Sequence, residues 1–308
     1  MRKFILFCIS LFTTVLLVSA TPLHAQTTLF VGPNGSDVNN CSQTAPCATF
    51  QRALNLGAAQ ISCLGSGLYS TSTLTINSSV TIDCGTGNVG NMAVTTGNAI
   101  TIASPATVVL RHLSLNGFRT GNSQYGIYAS ISSGTLIVED CMIQGFNTTS
   151  SYGIGFSTSG GRGQLQVSNS QIFNNTGGIA VFPSNGQIDS VTLSGVELII
   201  NSAYGLVLTG SGVVAGTMRN STVGENAYGV YVDAPQAYFS ILDSTVVANP
   251  TAGIYNQSAG AIINVGTTAI GANGVGVDIN GGTIISFGNN QFSANGIDGF
   301  FTSTKALK

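Results

Sequence analysis

The feature that most constrains this chain is an internal repeat. A glycine followed by an apolar residue recurs at Gly126-Ile127, Gly153-Ile154, Gly178-Ile179, Gly205-Leu206, Gly229-Val230, Gly253-Ile254, Gly276-Val277 and Gly299-Phe300, at intervals of 27, 25, 27, 24, 24, 23 and 23 residues. Within each unit a second marker pairs two apolar residues five places apart: Val138 with Ile143, Val167 with Ile172, Leu193 with Leu198, Met218 with Val223, Ile241 with Val246. A third is an asparagine shortly before the next glycine: Asn147, Asn175, Asn201, Asn226, Asn249, Asn273 and Asn295. Periods of this length belong to stacked repeat architectures.

The period inside each unit selects among them. Three short runs alternate with a period of two, which is strand spacing. Gly and Asn punctuate the runs because tight turns need left-handed backbone angles that these residues reach at little cost. Propeller blades need about 40 residues or more, and leucine-rich repeats a regular leucine skeleton. What remains is an all-β parallel β-helix, a solenoid of about nine or ten rungs, each hydrogen-bonded to the next at about 4.8 Å. Apolar ladders fill its interior and asparagine amides stack at the bends. Irregular turn lengths favour a right-handed coil. At its start Thr49 caps a short helix over Phe50–Leu56, with Gly57 past its end. Phe50, Ala53 and Leu54 then cover the first rung, which would otherwise present an open strand edge.

Composition narrows the function. Only 6% of the 308 residues are charged, and nine Lys and Arg against eleven Asp and Glu leave no basic footprint for nucleic acid. Arg2 and Lys3 precede an apolar run from Phe4 to Val18, too short to span a membrane, followed by small residues at Ala20 and Ala25. This reads as an export signal over residues 1–25, cleaved after Ala25, and no later run has membrane length. The expected organisation is a cap segment over 26–60, the β-helix over 61–299 and a tail over 300–308 that closes the far end. The protein is expected to be secreted, to the outside, the cell surface or the periplasm. Export permits disulfides. Cys41 and Cys47 flank a turn-rich stretch and are expected to close it; Cys63 and Cys84 hold matching places in Ile61-Ser62-Cys63 and Ile82-Asp83-Cys84. Cys141 is left over and reads as a buried thiol.

Several segments carry a resemblance. Val31-Gly32-Pro33-Asn34-Gly35-Ser36-Asp37, the Cys41 to Cys47 loop with Ala45-Pro46-Cys47, Thr49-Phe50-Gln51 and the terminal Ser286-Phe287-Gly288-Asn289-Asn290 are similar to secreted bacterial right-handed β-helix proteins of the pectin-lyase-like superfamily. The resemblance spans nearly the whole chain after the leader. It implies the right-handed fold and a polysaccharide as partner, and no particular reaction.

Two sets of residues could carry chemistry. Asp83, Arg111 and Glu139 recur at intervals of 28, as do Cys84, His112 and Asp140 beside them. On stacked strands such residues lie about 5 Å apart. Arg111, His112, Glu139 and Asp140 could then act as an acid/base pair with a cation for a sugar carboxylate. The preferred reading is an ion-pair ladder that pins rung register, although this remains the chain's best catalytic candidate. The second set faces outward from the strand after each repeat glycine. Its inner column reads Tyr128, Gly155, Ala180, Val207, Tyr231, Tyr255, Asp278, Phe301, and its outer column Ser130, Ser157, Phe182, Thr209, Asp233, Gln257, Asn280, Ser303. Tyr231, Asp233, Tyr255, Gln257, Asp278 and Asn280 together suit a sugar, whose faces stack on aromatics while its hydroxyls bond amides and carboxylates. A third row, Tyr125, Tyr152, Tyr204 and Tyr228, reads as a stacked aromatic bend.

Neither metal nor cofactor is expected. Asp233 and Asp278 fall two rungs apart, about 10 Å, too far to share a calcium ion. The resemblance to catalytic relatives is also incomplete. The Asn-Thr-Asp, Asp-Asp, Gly-His-Gly and Arg-Ile-Lys segments of polygalacturonase-type enzymes do not occur. The strand face after the repeat glycines lacks the arginine of pectate lyases. The leading expectation is therefore a non-catalytic protein that engages extracellular or envelope polysaccharide. The alternatives are a polysaccharide lyase or hydrolase of the pectin-lyase-like type, and a structural surface protein without a small ligand.

Overall fold

The computed structural model describes residues 27–119 and 121–306. The expected leader and its cleavage points lie outside the described residues. The chain winds as a parallel β-helix of about ten turns, each passing through three sheets in the same order. Sheet I holds twelve strands, from Thr28–Val31 to Ser303–Thr304; sheet II holds ten, from Gly67–Ser70 to Gln291–Ser293; sheet III holds ten, from Leu74–Ile76 to Ile297–Gly299. Every pairing between these strands is parallel, because each strand meets its counterpart one full turn later.

The apolar pairs of the repeat are the core. Leu110, Val138, Val167, Leu193, Met218, Ile241 and Val265 stack on the inner face of sheet I. Ile143, Ile172, Leu198, Val223, Val246 and Ile270 do so on sheet II, and all of these side chains are buried. Each contributes about 1.5–3 kcal/mol on leaving water. Close packing of successive rungs also makes truncation costly.

Two sharp corners make the rungs triangular. Between sheets I and II one residue per turn is left-handed: His112, Asp140, Asn169, Gly195, Asn220, Asp243 and Thr267, with φ from 47° to 64°. Asn, Asp, His and Gly are the residues that occupy this region with least strain. The next position is a buried ladder of small polar groups. Ser170, Ser221, Ser244 and Thr268 each donate to the carbonyl two residues earlier. Ser170, Ser221 and Ser244 also accept a backbone N–H from the preceding rung. Cys141 fills the same place, its thiol donating to the Glu139 carbonyl at 3.2 Å. Burial pushes that thiol up to about 12, so the free cysteine is an inert member of the ladder.

Between sheets II and III the asparagines stack as the repeat predicts. Asn175, Asn201, Asn226, Asn249 and Asn273 each donate Nδ2 to the Oδ1 of the asparagine one rung on, at 2.9–3.2 Å, ending at Asn295. The same Nδ2 groups also reach a carbonyl of the preceding rung, as Asn226 does to Leu198 at 2.9 Å. Asn147 does not belong to this ladder. Phe146 holds that position, its N–H donating to Asn175 Oδ1; Asn147 stands four residues after Ile143, whereas the ladder asparagines stand three after Ile172, Leu198, Val223, Val246 and Ile270.

The ends differ. Helix α1 (Phe50–Asn55) is capped by Thr49, whose side chain accepts the Arg52 N–H, and Gly57 follows with φ of 79°. Phe50 and Ala53 are buried over the first rung, and Leu54 packs against the core. Disulfides Cys41–Cys47 and Cys63–Cys84 tie down this end. At the other end the residues after Gly299 turn back and add Ser303–Thr304 to sheet I beside Ile285–Ser286. Gly299 pairs with Val277 rather than Gly276, so the last turn is out of step by one residue. Phe301 and Ser303 therefore leave the outward columns: Phe301 packs against Phe292, ring centroids 5.6 Å apart.

Candidate functional site

The first candidate set sits at the corner between sheets I and II. Register places Asp83, Arg111 and Glu139 side by side on sheet I, as the spacing predicts. Arg111 bonds Glu139, Nε to Oε2 at 2.7 Å, with both side chains about one-third exposed. His112 stands on the other side of the bend. Its Nδ1 lies 2.8 Å from Asp83 Oδ1 and its Nε2 3.8 Å from Asp140 Oδ2, so Asp83 is its nearer partner. Burial alone would raise the Asp83 carboxyl. Hydrogen bonds from the Gly85 N–H and His112, with the charges of His112 and Arg111, outweigh burial and hold it below its ordinary value.

His112 and Asp140 line a groove of about 610 Å³ over sheet II, together with Asn91, Ser114 and Gln171. Arg111 and Glu139, one residue earlier in their rungs, bond each other on sheet I. The four residues proposed for catalysis are thus neighbours split by a bend, and the cation is already paired. Asp83 is the member that sequence spacing placed with Arg111 rather than with His112. Only the backward turn of a left-handed residue (His112, φ 55°) brings the imidazole to it.

The second set lies on the outer face of sheet III. Pairing runs Tyr128, Gly155, Ala180, Val207, Tyr231, Tyr255, Asp278 in one column. Ala180 and Val207 face outward yet are buried, as small side chains between longer neighbours are overhung. The tyrosines concentrate in two groups. Tyr125 meets Tyr128 and Tyr152, with centroids 4.8 and 6.1 Å apart. Further on, Tyr204, Tyr228, Tyr231 and Tyr255 form a connected cluster with centroids 5.0–5.8 Å apart. The row before the glycines stacks as expected, Tyr125 on Tyr152 and Tyr204 on Tyr228, and also packs against the outward column, which spacing alone did not reveal.

Around the larger cluster the polar groups are arranged diagonally. Tyr231 Oη donates to Gln257 Oε1, and Asn280 Nδ2 donates to Tyr255 Oη at 3.1 Å. Asp233, Gln257 and Asn280 are exposed and the tyrosines half-buried. Burial, then the nearby Asp233 charge, pushes the Tyr231 phenol up to about 12, so it stays a neutral donor. Among the described residues no group of three His, Cys, Asp or Glu side chains could hold a metal.

No family model matches this chain, and no curated protein matches its sequence. Solved structures do resemble it. Pectate lyase Pel9A superposes with a TM-score of 0.62 at 16% identity, covering 91% of this chain and 78% of that one. The A-module of the Azotobacter vinelandii mannuronan C-5 epimerase AlgE4 aligns over 90% of this chain and 98% of its own, at 13% identity and a TM-score of 0.45. The first likeness shows the fold: an all-β parallel β-solenoid, with which a right-handed coil is consistent.

Proposed function

We propose that this is a secreted, non-catalytic protein that engages extracellular or cell-envelope polysaccharide through the outer face of sheet III. One observation carries the reading. Four tyrosines on neighbouring rungs pack into one half-buried cluster, with two phenol–amide hydrogen bonds and the carboxylates Asp233 and Asp278 at its margin. Stacked rings offer faces for pyranose C–H groups, and the exposed amides and carboxylates can accept and donate to hydroxyls. The two disulfides suit an exported protein, and no helix among the described residues is long and apolar enough to cross a membrane.

A glycan-array screen on the purified protein tests this reading, with ultraviolet absorbance for unsaturated product and a reducing-end assay on each hit. Binding without product supports it. The second reading, a lyase or hydrolase, rests on His112 standing between Asp83 and Asp140 at the edge of a groove. On that reading His112→Ala abolishes cleavage.

A further inference from the structure

The charge around the tyrosine cluster says which polysaccharide it can take. From Asn220 to Thr304 the sequence contains no Lys, Arg or His, while Glu225, Asp233, Asp243, Asp278 and Asp298 fall within it. The last four strands of sheet III, Tyr228–Val232, Ala252–Asn256, Val275–Ile279 and Ile297–Gly299, lie wholly inside this stretch. The face therefore carries uncompensated negative charge, in Asp233 and Asp278, and has no local cation to meet a sugar carboxylate. A polyuronate laid here would bring one negative charge per residue against those carboxylates, an unfavourable juxtaposition at close range.

An amino-sugar polymer fits little better. Asp233 and Asp278 are two rungs apart, about 10 Å. Cationic groups repeating along a chain would meet a carboxylate at alternate rungs and lose water against tyrosine and amide between them. The groups that do recur at every rung are neutral: the phenols of Tyr204, Tyr231 and Tyr255 and the amides of Gln257 and Asn280. Their spacing also sets a direction. Tyr204, Tyr231, Tyr255 and Asp278 occupy four successive rungs, spanning about 14 Å along the solenoid axis.

We infer that the sheet III face binds a neutral polysaccharide, extended along the solenoid axis with about one sugar ring per rung, and discriminates against uronates. The inference rests on the glycan-binding reading of this face and deepens it. It separates this protein's ligand from the acidic chemistry that the paired Arg111 and His112 region would suit.

The test is isothermal titration with hexasaccharides matched in backbone and differing only in charge. Neutral β-1,4-glucan, β-1,4-mannan and β-1,4-galactan hexamers are each compared with the C6-oxidised uronate and the C2-amino form. The expected result is that at least one neutral hexamer binds about tenfold or more tighter than its uronate and its amino form. That binding should be insensitive to salt between about 0.02 and 0.5 M. In the double variant Asp233→Lys, Asp278→Lys, uronate affinity should rise relative to that of the matched neutral hexamer, so that the preference for the neutral form shrinks or reverses. Tighter binding of a uronate or amino form to the native protein overturns the inference and leaves the glycan reading standing. If no hexamer of any series binds, the glycan reading of this face falls and the inference falls with it.

Discussion

The corner holding His112 and the tyrosine face of sheet III are built on the same ladder spacing, yet they use it in opposite ways. At the corner the charged groups are turned toward one another: Arg111 to Glu139, His112 to Asp83. Their hydrogen-bonding capacity is largely satisfied within the protein. On sheet III the bonds run between neutral groups, phenol to amide, while Asp233, Gln257 and Asn280 remain exposed. The difference teaches where a repeat protein keeps capacity for a ligand. A column of alternating charge pins the rungs, whereas a column of like, neutral, planar groups leaves a surface that still has bonds to make.

The comparison can be broken or sharpened by substitution. The largest effect should come from the scaffold both regions share. Asn226→Ala removes the acceptor for Asn201 Nδ2 and the donor to Leu198, and should cost about 2–4 kcal/mol in urea unfolding, since buried partners are left unmet. Next comes the face itself. Tyr231→Ala with Tyr255→Ala should weaken glycan binding about tenfold or more in titration calorimetry while the fold survives.

Two carboxylates then differ in the sign of their pH dependence. Asp189 is buried on the inner face of sheet I; its Oδ1 accepts from Thr158 at 2.6 Å and its Oδ2 has no partner. Burial raises it to about 6, against hydrogen bonds that lower it. A raised folded-state value means the native protein binds the proton more tightly, so stability falls as pH rises from about 4 to 6. Asp189→Asn should therefore gain about 3 kcal/mol on the native protein at pH 8 and little at pH 4, measured by thermal or urea unfolding. Asp83 is depressed instead. Its contribution is present above its unfolded value of about 4 and is lost as pH falls through its lower folded value, so Asp83→Asn should flatten the acid limb of the stability profile. The smallest effect belongs to the exposed pair: a double-mutant cycle on Arg111 and Glu139 should give a coupling below about 1 kcal/mol.

Much of this architecture was readable from spacing alone, because a solenoid repeats each local decision at every turn. The apolar pairs, the asparagines from Asn175 onward and the columns of Tyr231, Tyr255 and Asp278 all fell where their intervals placed them. Spacing failed where a marker slipped within its unit: Asn147 stands one residue past its ladder position, and Phe301 and Ser303 left their columns in the closing turn. It also failed where side chains leave the rung. The His112 contact with Asp83 depends on a left-handed bend, and the merging of two tyrosine rows depends on rotamers. The buried hydroxyl ladder had a signal that went unused. Ser170, Ser221, Ser244 and Thr268 each stand five residues ahead of a ladder asparagine.

The central claim is that sheet III, rather than the His112 corner, meets the polysaccharide, and that no bond in it is broken. The direct test sets His112→Ala beside the Tyr231→Ala, Tyr255→Ala double variant on one bound glycan, following binding and the appearance of new reducing ends together. The account predicts binding weakened about tenfold or more in the tyrosine variant, kept in His112→Ala, and no new reducing ends from any form. New reducing ends released by the native protein and absent with His112→Ala, with binding indifferent to the tyrosines, would contradict it.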